Sequence, residues 1–477
     1  MNGILEIKEK LDNGIVTSDE LFSTSVNLAK KYQDKYNSFV TILDNYEKVD
    51  SNSLISGIPY ALKDNISTKG ILTTASSNIL ANYVPVYDAT IYKKLKNAGA
   101  LLVGKTVLDE LAMGGTGTTG HTGIVKNPWD SSRQIGGSSA GSAAAVALGI
   151  VPFAIGSDTG DSIRKPAAYG GVVGFKPTYG RISRYGLFAF ASSLDHLGMF
   201  TRNVRDAAIV TDIVKGHDSH DMTSLPDDNK EYSALIDNDV KGRKLFYIKE
   251  ALENNENDEE LSKILDNFEN VKENCRQLGI EVCEESISKE LLQAIYPTYM
   301  SISCAEVTSN DANLTGIHFG VRGEGNTPDE IIKDARTKGF SELIKRRFVL
   351  GSYILQKENQ EKLFLNACRV RRMIVDRVNE LFKEYDGIIM PAAAGIAPKF
   401  DQKSDKLSDK YLILDNHMVI GNFGGYPSIT IPSGFVEGMP VGINITGRVM
   451  EDDVVLNIAN KIEGSMEYAN QVAKEMK

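Results

Sequence analysis

Apolar and polar positions follow two different periods in the first half of the chain. Residues 100–103 and 151–155 are short apolar runs, which are typical of buried strands. Residues 88–99 and 142–148 instead have the spacing of helices. These elements alternate between about residue 55 and residue 215, with glycine turns between them, and this order predicts an α/β architecture.

The second half continues the pattern, and its strands return near the end of the chain. Helices are predicted at 3–12, 19–35, 258–278 and over most of 329–385, with strands at 244–248, 280–283, 387–390, 428–431 and 441–445. Ser18 is expected to cap the second helix. Residues 217–243 are polar and rich in turns, which predicts a surface excursion. Strands at both ends of the chain predict one sheet built from distant segments.

We expect a single domain of 477 residues, because no long linker or low-complexity tract divides the chain. Its parts are an N-terminal helical segment (1–50), a core (50–215), a strand–helix–strand and helical region (217–385), and returning strands with a C-terminal helix (386–477).

Composition narrows the class of function. The formal charge of −10 disfavours direct binding of nucleic acid, so any nucleic acid involved would be held by a partner. The four cysteines form no CxxC pair, and no metal site is expected. No apolar run is long enough for a membrane span, and acids occur early in the chain, so we expect no signal peptide and a cytoplasmic protein.

Two glycine turns that carry serines, and one lysine, are the candidate chemistry. Ser138 lies in the turn 136–142, and Ser162 lies in the turn 157–162. Glycine allows sharp bends and close approach to a ligand, and a serine hydroxyl becomes a nucleophile when a base removes its proton. Lys63 ends an apolar run, where burial would lower its pKa and allow the neutral amine to act as that base.

Other motifs in the chain have competing interpretations. Residues 115–120 fit GxGxxG, but they lack the strand before and the helix after that a dinucleotide site needs, so a glycine-rich loop that lines a pocket is preferred. No P-loop pattern occurs. Residues 137–141 fit the GxSxG elbow of α/β-hydrolases, with Ser139 as nucleophile and Asp415 and His417 as partners, and an esterase stays a minor alternative.

Lys63, Ser138 and Ser162, in this order and context, resemble the amidase signature family. The serines are 24 residues apart and Lys63 precedes Ser162 by 99 residues; the resemblance covers about 50–215 and 345–445. It implies a central mixed sheet covered by helices on both faces. It also implies Ser162 as the nucleophile, Ser138 as a bridging serine held by a cis peptide bond, and Lys63 as the base. An oxyanion hole is implied at Thr159, Gly160, Asp161 and Ser162.

Within that family, residues 175–187 and 190–195 resemble the glutaminase subunits of tRNA-dependent amidotransferases. This resemblance implies that Arg347 binds the carboxylate of glutamine and that Asp415 binds its ammonium. Met113, Gly114 and Tyr299 are further residues expected at the substrate site. It also implies a kinase–transferase partner that binds the tRNA and uses ATP and Mg²⁺, a small third subunit, and no cofactor in this chain.

Two positions in the active-site turn depart from the family pattern. Asp161 stands where a glycine is usual, and Lys165 stands where a glutamine is usual. Gly170 also replaces a frequent cysteine, which we interpret as packing. We expect Asp161 to point away from the pocket and to pair with Lys165, one helical turn on. A free-standing amidase, or an assembly subunit whose catalysis Asp161 has impaired, are the alternatives.

Overall fold

The strands of the computed structural model form one sheet of eleven strands over the described residues 3–253, 258–402 and 406–473. Some residues of the predicted parts of the chain lie outside the described residues, namely 1–2, 254–257, 403–405 and 474–477. The strands are β1 (Phe39–Ile42), β2 (Pro59–Lys63), β3 (Leu101–Thr106), β4 (Phe153–Asp158), β5 (Val173–Lys176), β6 (His196–Thr201), β7 (Lys244–Ile248), β8 (Glu281–Glu285), β9 (Gly387–Pro391), β10 (Ser428–Val436) and β11 (Met439–Gly447).

Sixteen α-helices lie among the described residues. They are α1 (Ile4–Asp12), α2 (Ser18–Tyr36), α3 (Thr90–Asn97), α4 (Ala140–Ala147), α5 (Arg164–Gly170), α6 (Val204–Val214), α7 (Tyr232–Leu235), α8 (Glu259–Gln277), α9 (Lys289–Gln293), α10 (Ile295–Asn310), α11 (Pro328–Gly339), α12 (Glu342–Ile354), α13 (Lys357–Gln360), α14 (Asn366–Leu381), α15 (Val419–Phe423) and α16 (Asp452–Gly464).

The sheet is mixed and joins distant parts of the sequence, as predicted. Its strand order is β1-β3-β2-β4-β6-β5-β10-β11-β9-β7-β8. β2 runs parallel to β3 and β4, whereas β10 pairs antiparallel with both β5 and β11. The β5–β10 pairing brings the segment that follows the serine turns against the C-terminal strands.

Helices cover both faces of the sheet, which confirms the predicted fold class. Along β4, Phe153 and Ile155 pack in a hydrophobic cluster that also contains Ile458 of α16. The intervening Ala154 lies in a second cluster, together with Val146 of α4. Alternate residues of a strand point to opposite faces, so α16 and α4 lie on opposite faces of the sheet.

The predicted cap of the second helix is wrong by one residue. Thr17, not Ser18, is the N-cap: its side chain accepts a hydrogen bond from the backbone of Glu20, and the Glu20 carboxylate accepts one from the Thr17 N–H. This reciprocal pair satisfies two backbone donors at once, which a cap at Ser18 would not do.

No helix among residues 3–253, 258–402 and 406–473 is both long and apolar enough to cross a membrane.

Candidate active site

Lys63 ends β2, and its ammonium group lies among serine hydroxyls. The side chain is fully buried. Its Nζ lies 2.8 Å from the Oγ atoms of Ser138, Ser139 and Ser157. In β2, Ala61 packs in the cluster that contains α4, and Lys63 points to the same face because it is two residues further along the strand. The two predicted turns and the predicted base therefore meet beside α4.

Burial lowers the pKa of Lys63 from 10.5 to about 7, although the carboxylates of Asp109, Asp158 and Asp195 oppose that shift. Desolvation disfavours the charged ammonium, and a neutral amine can accept a proton. The burial expected from the sequence is confirmed, and its electrostatic consequence is the one that a general base requires.

The turn that carries Ser138 is held by an aspartate that the sequence analysis missed. The peptide bond between Gly137 and Ser138 is cis, as expected. The backbone N–H of Asp109 donates to the carbonyl of Ser138 at 3.1 Å. A Cβ atom on Gly137 would lie 2.1 Å from Oδ2 of Asp109, so this contact leaves room only for glycine.

Asp109 also organises the loop of residues 115–120. Its carboxylate accepts hydrogen bonds from four consecutive backbone N–H groups, Thr116 to Thr119, at 3.0–3.2 Å. The loop follows a short 3₁₀ turn at Glu110–Ala112, not a strand. These residues form a loop, as predicted, and its amides bind an internal carboxylate.

Ser162 lies in the second turn, between β4 and α5, and is buried. Its carbonyl accepts a hydrogen bond from the N–H of Ser139 at 3.2 Å, which ties the two serine turns together. Among the described residues, the backbone N–H groups of Thr159, Gly160, Asp161 and Ser162 donate to no other residue. These four amides are thus available to a developing oxyanion.

The second turn is supported from below by a buried ion pair. Arg164 binds the Asp158 carboxylate through Nη2 at 2.9 Å and Nε at 3.1 Å, and Nη2 also donates to the Gly160 carbonyl at 2.8 Å. Burial disfavours a charged Asp158, but Arg164 outweighs it and lowers the pKa of the carboxyl. Asn422 donates to the same carboxylate at 2.9 Å. The pair fixes the turn in a bidentate geometry.

A further buried contact orients Thr159. Its hydroxyl donates to Asp195 at 2.7 Å. Burial raises the pKa of Asp195 to about 6, although the hydrogen bond from Thr159 opposes the shift.

Asp161 pairs with Lys165 as predicted, with Oδ2 3.2 Å from Nζ. Its backbone does not adopt a positive φ, so an aspartate is accommodated there without that strain. The prediction that the Asp161 side chain points away from the pocket needs one correction. Nζ of Lys165 also lies 2.5 Å from the carbonyl oxygen of Asp415 and 4.0 Å from its Oδ1, so the pair lies beside a predicted substrate residue.

Tyr299, Arg347 and Phe190 form another wall next to the turn. A Cβ atom on Gly160 would lie 3.2 Å from the ring of Tyr299, so the ring packs directly on the turn. The guanidinium of Arg347 lies 5.4 Å from the centre of the Phe190 ring. Its Nε and Nη1 atoms are buried and have no hydrogen-bond partner among the described residues. Such a group is suited to an incoming carboxylate.

The remaining predicted substrate residues occupy different environments. Asp415 follows a π-helical turn at Lys410–Leu414, and its Oδ1 accepts from the N–H of Ala394 at 3.2 Å. Met113 is fully buried in the hydrophobic cluster against which Tyr299 packs. Gly114 lies against Asp109, where a Cβ atom would approach the carboxyl carbon to 2.4 Å. Met113 and Gly114 thus lie beside the loop that Asp109 organises.

The hydrolase interpretation of Ser139 does not fit the local geometry. Ser139 is the N-cap of α4, and no strand leads directly into it, whereas a nucleophile elbow joins a strand to a helix. Its Oγ lies between Lys63 and the carbonyl of Ser157, 3.0 Å from that oxygen. His417 is buried with Nδ1 2.7 Å from the Leu414 carbonyl. Ser139 positions the lysine.

Two of the missed residues carry a signal that the sequence contains. Asp109 lies inside an apolar run, and Asp158 follows the run 151–155 by three residues; a charge in such a place needs a partner. Over residues 3–253, 258–402 and 406–473, no group of three or more His, Cys, Asp or Glu side chains is arranged to hold a metal ion.

Comparison with known proteins places this site in a family context. The profile of the family described as Amidase matches residues 20–456. The chain is 40% identical to the A subunit of glutamyl-tRNA(Gln) amidotransferase of Heliobacterium modesticaldum over 473 residues, which cover 96% of this chain and 95% of that protein. It is 38% identical to the same-named protein of Lactobacillus delbrueckii subsp. bulgaricus over 472 residues, which cover 98% and 96% of the two chains.

A solved structure gives the same result. The crystal structure of the A subunit of glutamyl-tRNA(Gln) amidotransferase from Thermotoga maritima superposes with a TM-score of 0.82 at 36% identity, covering 98% of this chain and 96% of that chain.

Proposed function

The chain belongs to the amidase family, and from this we propose that it is the glutaminase subunit of a glutamyl-tRNA(Gln) amidotransferase. The observation that carries the proposal is the contact of Lys63 with Ser138 beside the Ser162 turn, in a chain similar over nearly its whole length to proteins named as the A subunit of that enzyme. The buried, unpaired nitrogens of Arg347 support an amino-acid substrate.

In the first half of the reaction, Oγ of Ser162 attacks the side-chain amide carbon of glutamine. Its proton passes through the Ser138 hydroxyl to neutral Lys63. The amides of residues 159–162 stabilise the negative oxygen, and each such donor contributes about 2.7–4 kcal/mol. When the intermediate collapses, the proton returns through Ser138 to the leaving nitrogen. Ammonia departs, and a glutamyl ester remains on Ser162.

In the second half, water attacks the ester carbonyl while Lys63, through Ser138, removes its proton. The ester oxygen of Ser162 takes that proton back, and glutamate is released. The same base and the same relay serve both halves, because the second half reverses the proton path of the first.

Recognition of glutamine needs two opposite charges at its α-carbon. Arg347 binds the carboxylate through the N–H groups of Nε and Nη1, and Asp415 binds the ammonium. Tyr299, which packs on Gly160, lines the site beside the turn that carries Ser162. Buried Met113 and Gly114, which lies against Asp109, border the site next to the loop that Asp109 holds.

Partner subunits complete the reaction. The ammonia passes to a kinase–transferase subunit, which holds Glu-tRNA(Gln), or Asp-tRNA(Asn), and activates the misacylated end with ATP and Mg²⁺. A small third subunit is the remaining member of a heterotrimer in the cytoplasm. The formal charge of −10 favours this division of labour, because the tRNA would be bound by a partner and not by this chain.

Ammonia release from glutamine, measured on the full chain co-expressed with its partners, tests the proposal. We expect turnover in the wild type and none in Ser162→Ala, while the surface variant Ser132→Ala keeps the wild-type rate. A sulfonyl fluoride should label Ser162, located by peptide mass spectrometry.

Three results would overturn the proposal in different ways. Labelling of Ser139 in place of Ser162 would support an esterase. Turnover of other amides without partners, and without need of Arg347, would support a free-standing amidase. An intact complex with ATP and charged tRNA but no glutamine turnover would support a purely structural role in assembly.

A further inference from the structure

Lys165 lies between two carboxylates at the edge of the candidate site. Its Nζ is 3.2 Å from Oδ2 of Asp161 and 4.0 Å from Oδ1 of Asp415. It also donates to the main-chain carbonyl of Asp415 at 2.5 Å, which fixes the ammonium beside that residue. The Lys165 side chain is only 11% exposed, so solvent screens these interactions weakly.

The geometry of the α5 entrance holds Lys165 toward Asp161. The Lys165 N–H donates to the Asp161 carbonyl at 2.9 Å, so the two side chains are stacked one helical turn apart. Burial disfavours the charge on Lys165, but Asp161 and then Asp415 outweigh it and raise its pKa. The lysine is therefore a fixed cation, shared unequally between a short and a long ion pair.

The division of the Lys165 ammonium between Asp161 and Asp415 determines how much negative charge Asp415 offers to a ligand. Asp161, Asp415 and Lys165 together carry one net negative charge when all three are ionised. Among the described residues, Oδ2 of Asp415 receives no hydrogen bond, whereas Oδ1 accepts from Ala394. As long as Asp161 holds Lys165, Asp415 keeps an oxygen for another cation. Without Asp161, Lys165 would lose its shorter ion pair and Asp415 would be its remaining carboxylate partner.

We propose that Asp161 and Lys165 are specificity-determining residues. Asp161 restrains the Lys165 ammonium, and Asp415 can therefore bind the α-ammonium of the substrate. This inference rests on the proposed function and names the charge arrangement that selects a zwitterionic amide. Asp161 acts here through Lys165, and is a positioning residue.

The test compares the Michaelis constant for glutamine in single and double variants of the full chain with its partners. Asp161→Asn should raise KM about tenfold, which corresponds to about 1.4 kcal/mol, because freed Lys165 competes with the substrate for Asp415. Lys165→Met should lower KM, since the substrate ammonium then faces two carboxylates. The double variant should return to within about threefold of the wild type.

A substrate without the ammonium separates this role from a structural one. Glutaramate is glutamine without its α-ammonium, so its KM should not change in Asp161→Asn. The matched control is Asp334→Asn, which breaks another pair of aspartate and lysine with the same four-residue spacing, exposed on α11, where Nζ of Lys338 lies 3.0 Å from Asp334. It should leave both constants unchanged.

The outcomes distinguish this inference from the proposed function. If the wild type releases ammonia from glutamine but both single variants raise KM, or Asp161→Asn impairs glutaramate equally, the inference is wrong and the proposed function stands. If the wild type in the intact complex does not turn over glutamine at all, both are wrong.

Discussion

The pKa of Lys63 predicts how the rate of acylation depends on pH. Lowering that pKa from 10.5 to about 7 raises the neutral fraction of the amine at pH 7 from roughly 1 in 3,000 to about one half. Because only the neutral amine accepts a proton, kcat/KM should fall about tenfold per pH unit below pH 7 and level off above about pH 8.

The assay measures ammonia release, and in parallel the labelling of Ser162 by a sulfonyl fluoride, between pH 5.5 and 9. Lys63→Arg keeps a positive charge at every accessible pH, so the rise with pH should vanish and the rate should drop by about 10²–10⁴. The matched control is Lys105→Arg. Burial lowers the pKa of Lys105 to about 8, and its ammonium lies 3.6 Å from Asp64, away from the serines.

The sign of the effect makes this prediction refutable. A base whose pKa is depressed is protonated, and inactive, below about pH 7, so activity must increase as the pH rises. Equal rates at pH 5.5 and 8.5, or a Lys63→Arg variant that is labelled at the wild-type rate, would refute Lys63 as the base. If the midpoint of the pH profile moved in Lys105→Arg, the titration would belong to Lys105 and its assignment to Lys63 would be wrong.

Two further substitutions test the substrate wall and the support of the turn. Arg347→Met should raise KM for glutamine about 30-fold, or about 2 kcal/mol, because a charged hydrogen bond to the substrate is lost. The control variant Arg346→Met, at an exposed position, should leave KM unchanged. Equal effects of the two substitutions would contradict the assignment of Arg347 to the substrate carboxylate. Arg164→Met should lower the free energy of unfolding by about 3–5 kcal/mol, because Asp158 stays buried without its partner, and adding Asp158→Asn should recover part of the loss in a denaturant titration. A loss below about 1 kcal/mol would show that the pair contributes little.

Much of the sheet could be predicted because its strands are short apolar runs that glycine turns interrupt. The runs at 244–248 and 387–390 correspond to β7 and β9 almost residue for residue. In contrast, β1, β2, β5 and β6 were not predicted as strands. β6 begins with His196, whose polar side chain hides the strand in a one-dimensional pattern, although the residue is buried in the folded chain.

The candidate site could be predicted where one residue type has a direct chemical meaning. Lys63, Ser138 and Ser162 were identified in this way, and the structure brings their turns together. Asp109 was missed because its place in an apolar run shows only that the acid needs a partner, and not that the partner is the set of backbone amides of a loop. Its importance follows only from the three-dimensional approach of that loop to Gly137.

The binding partners of the carboxylates around Ser162 explain why the base can be neutral so close to several acids. Asp109, Asp158 and Asp195 each favour the charged form of Lys63. Every one of them is already bound: Asp109 by backbone amides, Asp158 by Arg164, and Asp195 by Thr159 and two backbone N–H groups. Their charge is therefore partly neutralised at short range, and burial dominates the pKa of Lys63. Asp161, the acid nearest the nucleophile in sequence, follows the same rule through Lys165. An additional carboxylate is thus compatible with a neutral base as long as hydrogen-bond donors or a cation already bind it.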